Sequence, residues 1–232
     1  MKNKNIKTVF IVGSKPDINY PDDVMADVIF GVNGGISRIQ NYNIPSYGVI
    51  TNLAFTNKDS GCKATFDNIK DSIVDKLFVT NLQTQTEESQ IRFNQTNLKN
   101  ADVNYLDEIK LNKIKNKYFP ILRVFKNYGF YGLYKFMKFN IKGKKNKFTH
   151  ISTGMLALAL VLEEYKNEEV IIYMLGIGID PNSGHFYDQN KIISDYHLEK
   201  DKEFIKNVVK SNNNAKIYAT DSLLSQYLGQ LK

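Results

Sequence analysis

"STGMLALALVLEEYKNEEVIIYMLGIGID" (residues 152–180) decides the fold. Its first half carries Met155, Leu156, Leu158, Leu160, Val161 and Leu162 with alanines between them, so the predicted helix is apolar on every side and must be buried. Its second half, "VIIYMLGI" from Val170, is a β-branched run closed by Gly176 and reads as a buried strand. A buried helix running straight into a buried strand is half of a parallel β-α-β unit.

The rest of the chain repeats the theme. "KTVFIVG" (7–13), "DVIFGVN" (27–33), "SYGVI" (46–50) and "DKLFVTN" (75–81) read as strands with polar helical stretches between them, and "GGISRIQ" reads as a glycine turn leading into a short helix. After residue 180, "EKDKEFIKNVVKSNNN" reads as an amphipathic helix, "AKIYAT" as a last strand and "SLLSQYL" as a closing helix. Alternating strands and helices predict an α/β fold: a single Rossmann-like parallel sheet with helices on both faces, over one domain spanning 1–232. The stretch from Leu111 to Phe148 breaks the pattern and reads as an inserted helical segment or lid at about 110–148. No internal repeat is visible.

Composition narrows the function classes. An apolar share of 42% over 232 residues suits a globular domain. The lone Cys62 excludes an internal disulfide and a thiolate metal cluster and fits a reducing interior. "MKNKNIKTVFIVGSKPD" has too short an apolar run for a secretory signal, and "TGMLALALVL" is too short to span a bilayer, which reads as a soluble, cytoplasmic protein. The net charge of +7 is uneven, because no Asp or Glu occurs from Ile109 to Leu162 while lysines recur. Such asymmetry predicts an anionic partner.

In an open parallel sheet, ligands bind beyond the carboxyl ends of the strands. Four polar sets fall there: Gly13, Ser14 and Lys15; Asn33, Gly34 and Gly35; Ser152, Thr153 and Gly154; and Gly178 to Asp180. The "STG" helix start offers hydroxyls and first-turn N–H groups to an anion, with Gly154 allowing close approach, although an ordinary N-cap uses the same residues. "VGSKPD" has neither the phosphate-loop pattern nor the three-glycine dinucleotide fingerprint.

In order along the chain, these stretches resemble the motifs of the sialyltransferases. Residues 152–177 resemble the small sialyl motif, "VFIVGSKPDINYPDDVMADVIFGVN" (9–33) the large one, "HFYDQ" (185–189) the third and "YHLEKDKEF" (196–204) the last. Bacterial lipooligosaccharide sialyltransferases show the same order, with a Ser-Thr-Gly helix start, a Gly-Ile-Asp strand end and a later histidine. The resemblance covers about residues 7–35 and 150–208 and leaves the middle unexplained. Ser14 stands where an asparagine is often found, and the cysteines that join the motifs in animal enzymes are absent.

The resemblance implies the sialyltransferase variant of the GT-A fold. It also implies an inverting, metal-independent glycosyltransferase that moves sialic acid, or a related nonulosonic sugar, from a CMP-activated donor to a glycan hydroxyl. His197 would be the general base, and His185 with Tyr187 would bond to the donor phosphate as negative charge grows on it. Gly13, Ser14, Asn33, Gly34, Ser152, Thr153, Gly154, Gly178 and Asp180 would form the substrate site. His150 is a further candidate for the phosphate, and Asp180 fits either a loop anchor or a contact to a donor hydroxyl. No cofactor is implied, the CMP-sugar being a co-substrate, and Asp22 and Asp23 read as a solvated turn and not as a metal site.

Asp195 is placed to cap the helix of "YHLEKDKEF", which puts His197 in the first turn, at the positive end of the dipole. Between Lys113 and Lys147, lysines alternate with Tyr118, Phe119, Phe125, Tyr128, Phe130, Tyr131, Tyr134, Phe136 and Phe139. That pattern fits a helix lying on an anionic membrane, where the acceptor would be lipid-linked, or a lid with its aromatics in the core. No nucleic-acid recognition motif appears. A CMP-Kdo-dependent transferase and a non-catalytic binding module on a degenerate nucleotide-binding fold are the alternatives.

Overall fold

The computed structural model describes residues 6–16, 18–40, 42–56, 58–119, 121–142, 147–179, 197–212 and 214–230. Eight strands form one sheet: β1 (Lys7–Val12), β2 (Val28–Val32), β3 (Ser46–Thr51), β4 (Lys76–Thr80), β5 (Asp102–Tyr105), β6 (Val170–Leu175), β7 (Ala215–Ala219) and β8 (Gly229–Gln230). Their order is β5-β4-β3-β2-β1-β6-β7-β8, and every neighbouring pair is parallel. The chain winds outward through β2 to β5, then returns to the other side of β1 for β6. The strand order therefore reverses between β1 and β6, as in Rossmann-like sheets.

Successive side chains of a strand point to opposite faces, and β1 divides its residues accordingly. Val9 and Ile11 enter one core, Phe10 and Val12 the other. The second core is covered by α1 (Ser60–Ile69), α2 (Glu87–Asn94) and a 3-10 helix over Asn33–Ile39. The first is covered by α3 (Glu108–Asn116), α5 (Thr153–Glu164) and α6 (Leu198–Ser211). Every residue of α5 from Met155 to Leu162 is buried, because the helix lies between the sheet and the flanking α3 and α6. That position is what an all-round apolar helix demands.

Three features depart from the sequence pattern. β5, "DVNY", is a short polar edge strand without an apolar signal, the kind of strand that ends a sheet without inviting another. "GGISRIQ" is not a turn followed by a helix; the 3-10 helix begins at Asn33 itself. The closing helix, α7, covers only Ser222–Ser225 before β8.

The expected insert divides in two. Its first part, α3, belongs to the layer on the sheet, and Tyr118 and Phe119 after it pack on Phe204 of α6 with ring centroids 5.1 and 6.2 Å apart. Its second part, α4 (Ile121–Ile141), is kinked at Gly129, whose φ of 63° lies in the left-handed region. Val124 and Phe136 anchor α4, and Arg123 bonds to Glu203 at 3.2 Å and to Asn207 at 2.7 Å. Phe130, Tyr131 and Tyr134 on its outer side are exposed. The aromatics thus divide between the core, which takes Tyr118, Phe119 and Phe136, and the outer surface, which carries Phe130, Tyr131 and Tyr134.

Leu158 is fully buried at the centre of α5. Leu158→Ala is expected to lower the unfolding free energy by about 2–5 kcal/mol, read from the midpoint of urea denaturation.

Candidate functional site: a pocket between the starts of two helices

The turns after β1 and β6 are joined by backbone. Gly13 donates its N–H to Leu175 O at 2.8 Å and Lys15 to Gly176 O at 3.1 Å. A Cβ on Gly13 would overlap Gly176 O and the Ile177 side chain, so this glycine is required by packing. Lys15 pairs with Asp221 at 2.5 Å, and Gly178 leaves room for that pair. Arg38 donates to the carbonyls of Lys15 and Pro16 at 2.8 and 3.2 Å. Ser14 is half-buried within this knot.

The next turn is similarly built. Asn33 has a φ of 48°, and its Oδ1 accepts the Thr51 N–H at 3.4 Å. The Gly34 carbonyl accepts from Ser37 and Asn68. These groups brace the rim; none of Gly13, Ser14, Asn33, Gly34 or Gly178 lines the pocket described next. The space that a Cβ on Gly154 would take is filled by the Ile177 side chain.

A pocket of about 190 Å³ opens beside them, over the ends of β3 and β4 and between α3 and α5. Ser152 and Thr153 line it, with His150 before them and His197 across. Ser152 is the N-cap of α5, its hydroxyl oxygen accepting the Met155 N–H at 3.4 Å. That leaves the Thr153 and Gly154 N–H groups without intrahelical acceptors at the positive end of the helix, a setting that favours an anion.

His197 stands at the N-cap of α6 and not inside its first turn, because the helix begins one residue later, at Leu198. Its ring lies 4.3 Å from the His150 ring, tilted by 43°. Asp180, His185, Tyr187 and Asp195 lie outside the described residues. Asp22 and Asp23 are exposed in the turn before β2, and among the described residues no group of three or more His, Cys, Asp or Glu is placed to hold a metal ion. Among them, too, no helix is long and apolar enough to cross a membrane.

What brings His197 to Ser152 is a carboxyl group that the motif reading passed over. Asp201, four residues beyond His197, is 4% exposed, and its Oδ1 accepts the Ser152 N–H at 2.9 Å. Burial raises its pKa from 3.8 to about 7, against the opposing effect of hydrogen bonds from the Ser152 backbone and side chain. The signal was present in "DKEFIKNV": Asp201 shares the spacing of Phe204, Ile205 and Val208, so it falls on the buried face of α6.

Glu108, Lys115, Thr51, Thr80 and Asn81 also line the pocket without having been singled out by sequence. Here the sign was "VITN" and "FVTN", the same Thr-Asn pair ending two apolar strands. Asn81 Nδ2 donates to Thr51 Oγ1 at 2.8 Å, and Thr80 Oγ1 to Ile50 O at 3.3 Å. Compared with known proteins, the chain matches no family model, no curated protein and no solved structure.

The raised Asp201 pKa has a signed consequence for stability. The folded protein keeps this proton up to about pH 7, whereas the unfolded chain releases it near 3.8. The group's contribution is therefore fully present below about pH 4 and lost as pH rises through 7. Asp201→Asn, which keeps an oxygen for the Ser152 N–H, is expected to remove this slope from urea midpoints measured between pH 4 and 7.5.

Proposed function

We propose that the chain is an inverting glycosyltransferase that uses a CMP-activated nonulosonic sugar. The observation that carries this reading is the His150–His197 pair facing the anion-favouring start of α5 in one pocket. The sialyltransferase-like order of the motifs supplies the donor class.

In the proposed reaction the bond from the anomeric carbon to the phosphate oxygen breaks, and its electron pair stays on CMP. The acceptor hydroxyl oxygen attacks the opposite face of that carbon while its proton passes to His197. The first-turn N–H groups of Thr153 and Gly154, the Thr153 hydroxyl and the His150 ring donate to the phosphate as its charge grows, with His185 and Tyr187 as further donors. Gly13, Ser14, Asn33, Gly34 and Gly178 hold the rim that supports these groups. The reaction as proposed needs no metal, and the donor sugar is sialic acid or a relative such as Kdo.

We further infer that the enzyme works at an anionic membrane surface and takes a lipid-linked glycan. Phe130 and Tyr131 are 79% and 68% exposed on α4, next to Lys126, Lys135 and Lys138 and within a stretch that holds no acid. Aromatics at the interface with lysines reaching the headgroups describe a surface-lying helix, and each lysine contributes about 1 kcal/mol near an anionic leaflet. Sedimentation with phosphatidylglycerol vesicles should retain the protein at low salt and release it at high salt, whereas the protein should stay in solution with phosphatidylcholine vesicles.

The activity is tested by CMP release from CMP-sialic acid and CMP-Kdo, which should proceed in EDTA. His197→Ala should lower the rate by roughly 10²–10⁴-fold with little change in CMP affinity. His150→Gln should weaken CMP binding. Absence of CMP binding and of CMP release from either donor would remove the proposal.

A further inference from the structure

Beside the histidines, the pocket holds a carboxyl group that the proposed reaction does not use. Glu108 is the first residue of α3 and is 8% exposed, yet it lines the pocket. Its Oε2 is buried and has no hydrogen-bond partner among the described residues. A buried carboxylate oxygen is normally satisfied, because it loses its water without compensation otherwise. A ligand that brings donors would supply what the fold does not.

The surroundings define the donor. Lys115, two turns along the same helix, lines the same pocket, so a cationic ligand would meet a like charge there. The lining also includes hydroxyl and amide groups, Thr51, Thr80 and Asn81, suited to neutral hydroxyls. The pocket volume of about 190 Å³ lies below the roughly 300–1,000 Å³ that encloses a drug-sized ligand. It therefore suits one ring of a ligand whose remainder extends toward the histidines.

We propose that this pocket binds a sugar ring through adjacent hydroxyl groups, with both oxygens of the Glu108 carboxylate accepting from them. A carboxylate accepts two such bonds side by side, and Thr80 and Asn81 read the far edge of the ring. The ring is either the ribose of the cytidine nucleotide or a sugar of the acceptor, and this choice of sources rests on the transferase reading.

Calorimetric titrations of the wild-type chain, Glu108→Gln and Thr80→Val separate the cases. The probes are CMP, 2′,3′-dideoxy-CMP and a panel of methyl hexosides. If the ribose is the ligand, Glu108→Gln should weaken CMP about tenfold or more and leave the dideoxy compound unchanged. If the acceptor is the ligand, it should weaken a methyl hexoside to that degree and leave CMP unchanged. Thr80→Val should act in the same direction and serves if Glu108→Gln fails to fold. Equal binding of every probe by the wild type and both variants would overturn the inference while leaving the transferase reading in place. Glu108-dependent binding of a hexoside without CMP binding would uphold the inference and remove that reading. Binding of no probe by the wild type would overturn both.

Discussion

The site depends on one hydrogen bond, from the Ser152 N–H to the Asp201 carboxyl. The starts of α5 and α6 meet at the sheet rim, and two helix N-termini carry partial charge of the same sign. A carboxyl group between them answers both, since Asp201 lies in the first turn of α6 and accepts from the cap of α5. Burial opposes this and keeps its pKa near 7, so the linker is itself poised around neutrality. With Asp201 fixed, the helix places His197 one turn back, against His150.

A second constraint acts on the turns after β1 and β6, at the point where strand order reverses. Among the described residues, the Gly13 and Gly176 turns are bonded together, Ile177 occupies the space beside Gly154, and the Lys15–Asp221 pair lies over Gly178. The pocket described above lies over β3 and β4, lined by α3 and α5. The glycines of the motifs thus support the pocket from the side. At Gly35 a Cβ would overlap the Val12 and Gly13 carbonyls, so this glycine lets the 3-10 helix pack on the end of β1.

The fold was legible because burial writes its period into the chain. The alternating Val9, Phe10, Ile11 and Val12 divide between two cores, and α5 is apolar all round because it is covered all round. β5 escaped because an edge strand of four partly exposed residues carries no such pattern. Of the pocket lining, Ser152, Thr153, His150 and His197 were legible, because their residue types carry chemistry wherever they fall. Glu108 and Asp201 were not, because a buried acid reads in sequence like any surface acid until its helical face is known. At Gly13 and Gly154 a close approach was legible in the sequence, and the group that a Cβ would meet there is protein.

The proximity of His197 to His150 at the start of α5 is the claim from which the proposed chemistry follows. Side-chain NMR of the histidines tests it most directly, since a ring 4.3 Å away shifts its neighbour's resonances. The account predicts that His150→Gln moves the imidazole signals of His197 in the otherwise unchanged protein, and that adding CMP to the wild type moves the signals of both. His197 signals indifferent both to the loss of His150 and to CMP would contradict it.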